Sequence, residues 1–222
     1  MIDQLYILPI LLFSVIIHEI AHGWTALMLG DPTAKMMGRL TLNPIPHIDL
    51  VGSIIVPLFS LIAAGSVFIA WAKPVPVNPR NFAQYRRDDI LVSVAGPASN
   101  IIVAFICSIV VILLAMANRS VGAWDSPIAE QAMVFLLRMF YGGVYLNIVL
   151  AVFNLIPVPP LDGSHVLASL LPGKVATAYA RIGFAGIFVI LFLMRVPVFS
   201  DAFQGIISGL FHPFRTLIEY FL

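Results

Sequence analysis

Four long apolar stretches set the rhythm of this chain, at about 5–29, 48–71, 90–117 and 130–156, and two further ones follow at about 176–195 and 202–222. A helix needs about 20 apolar residues to cross a hydrocarbon core about 30 Å thick, and each of the first four is long enough. The polar connections between them, about 30–47, 72–89 and 118–130, are too short to bury a core of their own. The pattern predicts an all-α polytopic membrane protein with about five to six transmembrane helices, forming one integral-membrane domain over 1–222. The first helix should run from about Asp3 to Leu29 and stop at Gly30 and Asp31-Pro32. After it, alternation and β-branched content around Arg39–Leu42 predict a short interfacial strand, a β element that could pair with an extended segment of another chain.

One stretch breaks the apolar pattern. His18-Glu19-Ile20-Ala21-His22 puts three ionisable groups within about a turn and a half of the first helix, with no basic partner nearby. Ionisable groups in hydrocarbon are costly and mark function. Positions i and i+4 share a helix face, so both imidazoles can reach one metal ion, and Glu19 between them is placed to act as a general base on water. The composition fits a membrane setting: 60% hydrophobic, 10% charged, mean hydropathy +1.00. A net charge of +1 excludes a polyanion binder, so no nucleic-acid partner is expected. Cys107 is the only cysteine and cannot form an internal disulfide. The N-terminal run lacks a basic region ahead of it and carries the metal motif, so it reads as retained, not as a signal peptide.

Several motifs then follow in order: Gly38-Arg39-Leu40-Thr41-Leu42-Asn43-Pro44, Trp71-Ala72-Lys73-Pro74-Val75-Pro76-Val77-Asn78-Pro79, Gly96-Pro97-Ala98-Ser99-Asn100, and Asn154-Leu155-Ile156-Pro157-Val158-Pro159-Pro160-Leu161-Asp162-Gly163. With the HExxH motif ahead of them, they resemble the site-2 protease family of intramembrane zinc metallopeptidases, peptidase family M50, in a compact form without inserted PDZ or CBS domains. The resemblance covers most of the first 170 residues and leaves about 176–222 as C-terminal helices beyond a catalytic core of about 1–172. It implies an intramembrane zinc metalloendopeptidase that cleaves within or near transmembrane helices of substrate proteins (regulated intramembrane proteolysis), with one catalytic Zn2+.

A catalytic zinc takes three protein ligands and an open position. His18 and His22 supply two, and Asp162, a lone carboxylate in a proline-broken segment that matches the family's second metal-binding motif, is the candidate third; an interfacial helix cap is the bland alternative. His165 is open between a supporting role and an alternative ligand. In the family motif Asn154 would bring a side-chain amide near the metal to hold a substrate carbonyl, its plain alternative being a hydrogen bond at a helix end.

Topology adds a constraint, because His18, His22 and Asp162 must meet at one depth. They do so if 48–71 is re-entrant, breaking near Pro57 or Gly65, with 90–117 leaving the metal side and 130–156 returning to it. Lys35, Arg39, Lys73, Arg80, Arg86, Arg87, Lys174 and Arg181 then share one face, which the positive-inside rule makes cytoplasmic. The expected setting is a prokaryotic cell membrane, with the active site toward the cytoplasm. Expected partners are transmembrane protein or peptide substrates and the lipid bilayer, with homo-oligomerisation open. A metal transporter and a non-proteolytic metal-binding scaffold are the competing classes; the single cluster near one face and Glu19 between the histidines disfavour them.

Overall fold

The computed structural model describes residues 6–55, 72–121 and 126–221. Three of its helices are long and apolar enough to cross a membrane: α1 (Leu8–Met28), α3 (Tyr85–Val121) and α4 (Pro127–Asn154). The short α2 (Thr33–Met36) follows α1, and four more helices follow α4: α5 (Asp162–Leu170), α6 (Gly173–Ala180), α7 (Gly186–Leu193) and α8 (Pro197–Phe221).

The three long helices pack around Ile10, Val103, Ala104, Cys107, Val111, Val144 and Ile148, joined by Ile207 and Ile218 of α8. Glycine allows the close approach: a Cβ on Gly143 would fall 2.9 Å from Ile10 Cγ1 and 3.2 Å from Cys107 Sγ. The aromatic ring of Phe211 meets Tyr141 and Tyr145 edge-on at 6.0 and 5.5 Å, and Arg119 Nη1 donates to Phe221 O at 3.1 Å. These contacts lay α8 lengthwise along α3 and α4, with its C-terminus at the Arg119 end.

Helix α1 stops where its sequence says it should. Gly30 adopts φ 101°, a left-handed conformation that side chains disfavour. Gly30 N then reaches Leu27 O (3.2 Å) and Asp31 N reaches Ala26 O (2.8 Å), closing the last carbonyls of the helix. Asp31 is fully buried and gathers the chain around it: its carboxylate accepts from Thr33 N at 3.1 Å, Thr33 Oγ1, Asn78 N at 2.6 Å and Asn81 Nδ2 at 2.7 Å. Lys73 N also donates to His47 O at 2.9 Å. The residues just after α1 and those just before α3 are therefore gathered at the same end of α1.

Three expectations change. The strand around Arg39–Leu42 is absent; those residues form bends, and no strand occurs among the described residues. Polar side chains take up the backbone there: Thr41 Oγ1 accepts from Asn43 N, Asn43 Oδ1 from Ile45 N, and Thr41 O from His47 Nε2, all at 2.9–3.1 Å. Among the described residues three helices qualify as spans, or four if a bent pair counts as one, short of the five to six expected for the whole chain. That pair comes from 176–195, expected to be one helix; it breaks at Gly183, φ 48°, and Gly173–Ala180 lies at 70° to Gly183–Leu193. The predicted re-entrant segment lies mostly outside the described residues, apart from a single wide turn at Leu50–Ile55.

Candidate metal centre

His18 and His22 sit on the face of α1 that packs against α3, and both are buried. Asp162 reaches them from the first turn of α5. Its Oδ2 lies 3.1 Å from His18 Nε2 and 3.3 Å from His22 Nε2, and the two Nε2 atoms are 3.0 Å apart. Among the described residues these three are the group of His, Cys, Asp or Glu able to share a metal ion. A glycine follows the carboxylate for a steric reason: a Cβ on Gly163 would come within 2.8 Å of Ile156 O and closer still to Leu155 O. The start of α5 is thereby pressed onto the end of α4.

The proton on each imidazole follows from its outer partner. Gly143 O can only accept, so Asn147 Nδ2 donates to it (2.8 Å) and Asn147 Oδ1 faces Asn100. Asn100 Nδ2 donates to that oxygen (3.0 Å), which turns Asn100 Oδ1 toward His18 Nδ1 at 2.6 Å. The neutral ring of His18 therefore carries its proton on Nδ1 and a lone pair on Nε2. His22 Nδ1 is 2.7 Å from Val92 O, another pure acceptor, with the same result. Two nitrogen lone pairs and a buried carboxylate oxygen that no hydrogen bond satisfies thus converge on one point. Such an arrangement is repulsive until a cation joins it, and neutral imidazole nitrogens with a carboxylate suit Zn2+.

Helix α3 comes close enough to supply these partners because residue 96 is glycine. A Cβ there would lie 2.6 Å from His18 Nε2 and Cε1. Pro97 next to it removes the amide that would bond Ser93 O, loosening the turn beside Val92. The Gly96-Pro97 pair, read from sequence as a packing or kink element, forms the floor beneath the imidazoles.

Glu19 is outside that group of three. Its Oε2 accepts from Val75 N at 2.6 Å, in the extended segment that precedes α3. Asn154 ends α4 with its Nδ2 donating to Leu150 O at 2.9 Å. His165 stands outside the cluster, 61% exposed, with Nδ1 3.9 Å from Asp89 Oδ1; Ser169 Oγ donates to Asp89 Oδ2 at 2.8 Å and ties α5 to α3.

In the sequence Asn100 stands out only as part of a motif, and an amide such as Asn147 in an apolar helix reads as interhelical glue. Val92 O and Val75 N, being backbone, gave no signal. For the two asparagines the signal was a pair of amides in otherwise apolar helices, both of which turn out to be fully buried.

The model of peptidase family M50 matches residues 6–194. A Bacillus subtilis protein named "Putative zinc metalloprotease YwhC" is 36% identical over 219 residues, covering 94% of this chain and 93% of its own. Proteins named "Putative zinc metalloprotease Rip2" from Mycolicibacterium smegmatis and Mycobacterium tuberculosis are 28% and 29% identical, each over 90% of this chain and 70% of their own. No solved structure matches.

Proposed function

We propose that this chain, which belongs to peptidase family M50 and is a zinc metalloprotease, is an endopeptidase that cleaves other membrane proteins within or near their transmembrane helices. In this reading His18, His22 and Asp162 hold the zinc, which when bound acidifies a water and polarises the scissile carbonyl. Glu19 takes the proton of the attacking water and passes it to the leaving amine. Asn154 keeps one amide N–H free beyond its bond to Leu150 O, and that is the donor we assign to the substrate carbonyl. Val92 O and Asn100 Oδ1 hold the neutral rings in the tautomer that presents the Nε2 lone pair.

The observation that carries the reading is the convergence of two lone pairs and one unsatisfied carboxylate oxygen, supplied partly by a membrane-spanning helix. Substrates are membrane proteins because the site belongs to α1, whose surroundings are apolar. A substrate helix hides its carbonyls in i→i−4 hydrogen bonds and must unwind before water can attack. The basic residues of the sequence around the end of α1 and the start of α3 support a cytoplasmic setting for this end.

The test compares wild type with Glu19→Gln in detergent, measuring bound zinc and cleavage of a model transmembrane substrate. Zinc in both proteins with cleavage by wild type alone is the expected result. Cleavage surviving in Glu19→Gln would overturn the role given to Glu19; zinc without cleavage in either, across several substrates, would favour a scaffold.

A further inference from the structure

We infer that the segment 72–78 is a strut whose Val75 amide holds the Glu19 carboxylate in its working position, so that Arg39 and Val75 N are positioning groups for the hydrolytic step. The inference rests on the role proposed for Glu19 as the base.

Prolines at 74 and 76, with Pro79 just beyond, keep this stretch extended and remove two of its amides, so it can neither coil into a helix nor complete a ladder. Two of the remaining donors go to side chains. Asn78 N is taken by Asp31 at 2.6 Å, and Val75 N by Glu19 Oε2 at 2.6 Å. The carbonyls are fixed from the other side: the buried Arg39 donates from Nη2 to Lys73 O at 2.7 Å and Pro74 O at 3.3 Å, and Lys73 N donates to His47 O at 2.9 Å. The strut is also seated on α1, because a Cβ on Gly23 would lie 2.7 Å from both Val75 Cγ1 and Leu40 Cδ2. Val75 N is thus fastened before and behind, with no freedom to follow the carboxylate.

Glu19 needs such a fixture. Its side chain has three rotatable bonds, and among the described residues its hydrogen bond is the one to Val75 N. A charge-assisted bond of this length selects one rotamer and commits one oxygen, leaving the other to meet the water. Arg39, which never touches the carboxylate, acts on it through the backbone of Lys73 and Pro74.

The test uses the full chain in detergent, with kcat, KM and zinc content measured for Val75→Pro, Val75→Ala, Arg39→Gln and Glu19→Gln on one transmembrane substrate. Val75→Pro removes the amide and the buried side chain together, whereas Val75→Ala removes side-chain volume and keeps the amide. Losing a hydrogen bond to a charged group should lower kcat about tenfold or more. That loss is expected for Val75→Pro and Arg39→Gln, with KM within about twofold and zinc unchanged, while Val75→Ala, which loosens the seat on Gly23 but keeps the amide, loses clearly less kcat than Val75→Pro. Full kcat in both Val75→Pro and Arg39→Gln beside an inactive Glu19→Gln would sink the strut and leave the base intact. A rise in KM alone would make the segment a substrate-binding surface and also overturn the inference. Should Val75→Pro fail to fold, Arg39→Gln decides. An active Glu19→Gln removes both readings together.

Discussion

Asn147 and Asn100 settle for His18 a question that the imidazole leaves open, namely which nitrogen carries the proton. The chain of donors ends at a backbone carbonyl, so every orientation along it is forced. Replacing Asn100 with leucine, of similar size but without polar atoms, frees the tautomer and leaves Asn147 Oδ1 without its donor. We expect zinc affinity to fall about 10–100-fold, read by competition with a chromophoric chelator, since groups that orient metal ligands act on this scale. Unchanged affinity would mean that Asn100 serves packing alone. Gly96 matters at the same scale through absence, because any side chain there would occupy the space of the two imidazoles.

At the scale of elements, the end of α1 decides where its neighbours start. Asp31 collects the return of the chain before α3, and hydrogen bonds from Thr33, Asn78 and Asn81 outweigh its burial, which alone would raise its pKa, and hold the carboxyl below its ordinary value of 3.8. A group whose pKa is lowered by folding stabilises fully above its unfolded value, and that contribution fades as pH falls through the lowered one. Asp31→Asn should therefore lower the thermal midpoint at neutral pH, and the gap to wild type should narrow on acidification below the ordinary carboxylate range. A gap independent of pH would show that Asp31 acts without its charge. Much of this element was legible: Gly30 and Asp31-Pro32 mark the stop. The strand expected at Arg39–Leu42 was not, because β-propensity was weighed there without the turn-forming competition of Thr41 and Asn43.

Across the whole molecule, the proposed ligands join α1 to α5, elements far apart in sequence that meet through α3 and α4. Bound zinc should then act as a cross-link, adding about 2.7 kcal/mol when free metal is 100-fold above Kd. Removing it with a chelator should lower the thermal midpoint of wild type and of Glu19→Gln, and should leave Asp162→Asn unmoved. An equal drop in Asp162→Asn would take Asp162 out of the ligand set. The sequence by itself determined the apolar spans, the HExxH face, the family, and Asp162 as the candidate partner, because periodicity and motif spacing are local properties that survive without a fold. It also favoured a re-entrant 48–71, which lies mostly outside the described residues. Only the tertiary structure decided which amides orient His18, how close Gly96 brings α3, where Val75 N meets Glu19, and how α8 lies along the core. Those are relations between residues distant in the chain, or between a side chain and a backbone group that every residue shares, and no pattern of side chains along the sequence records them.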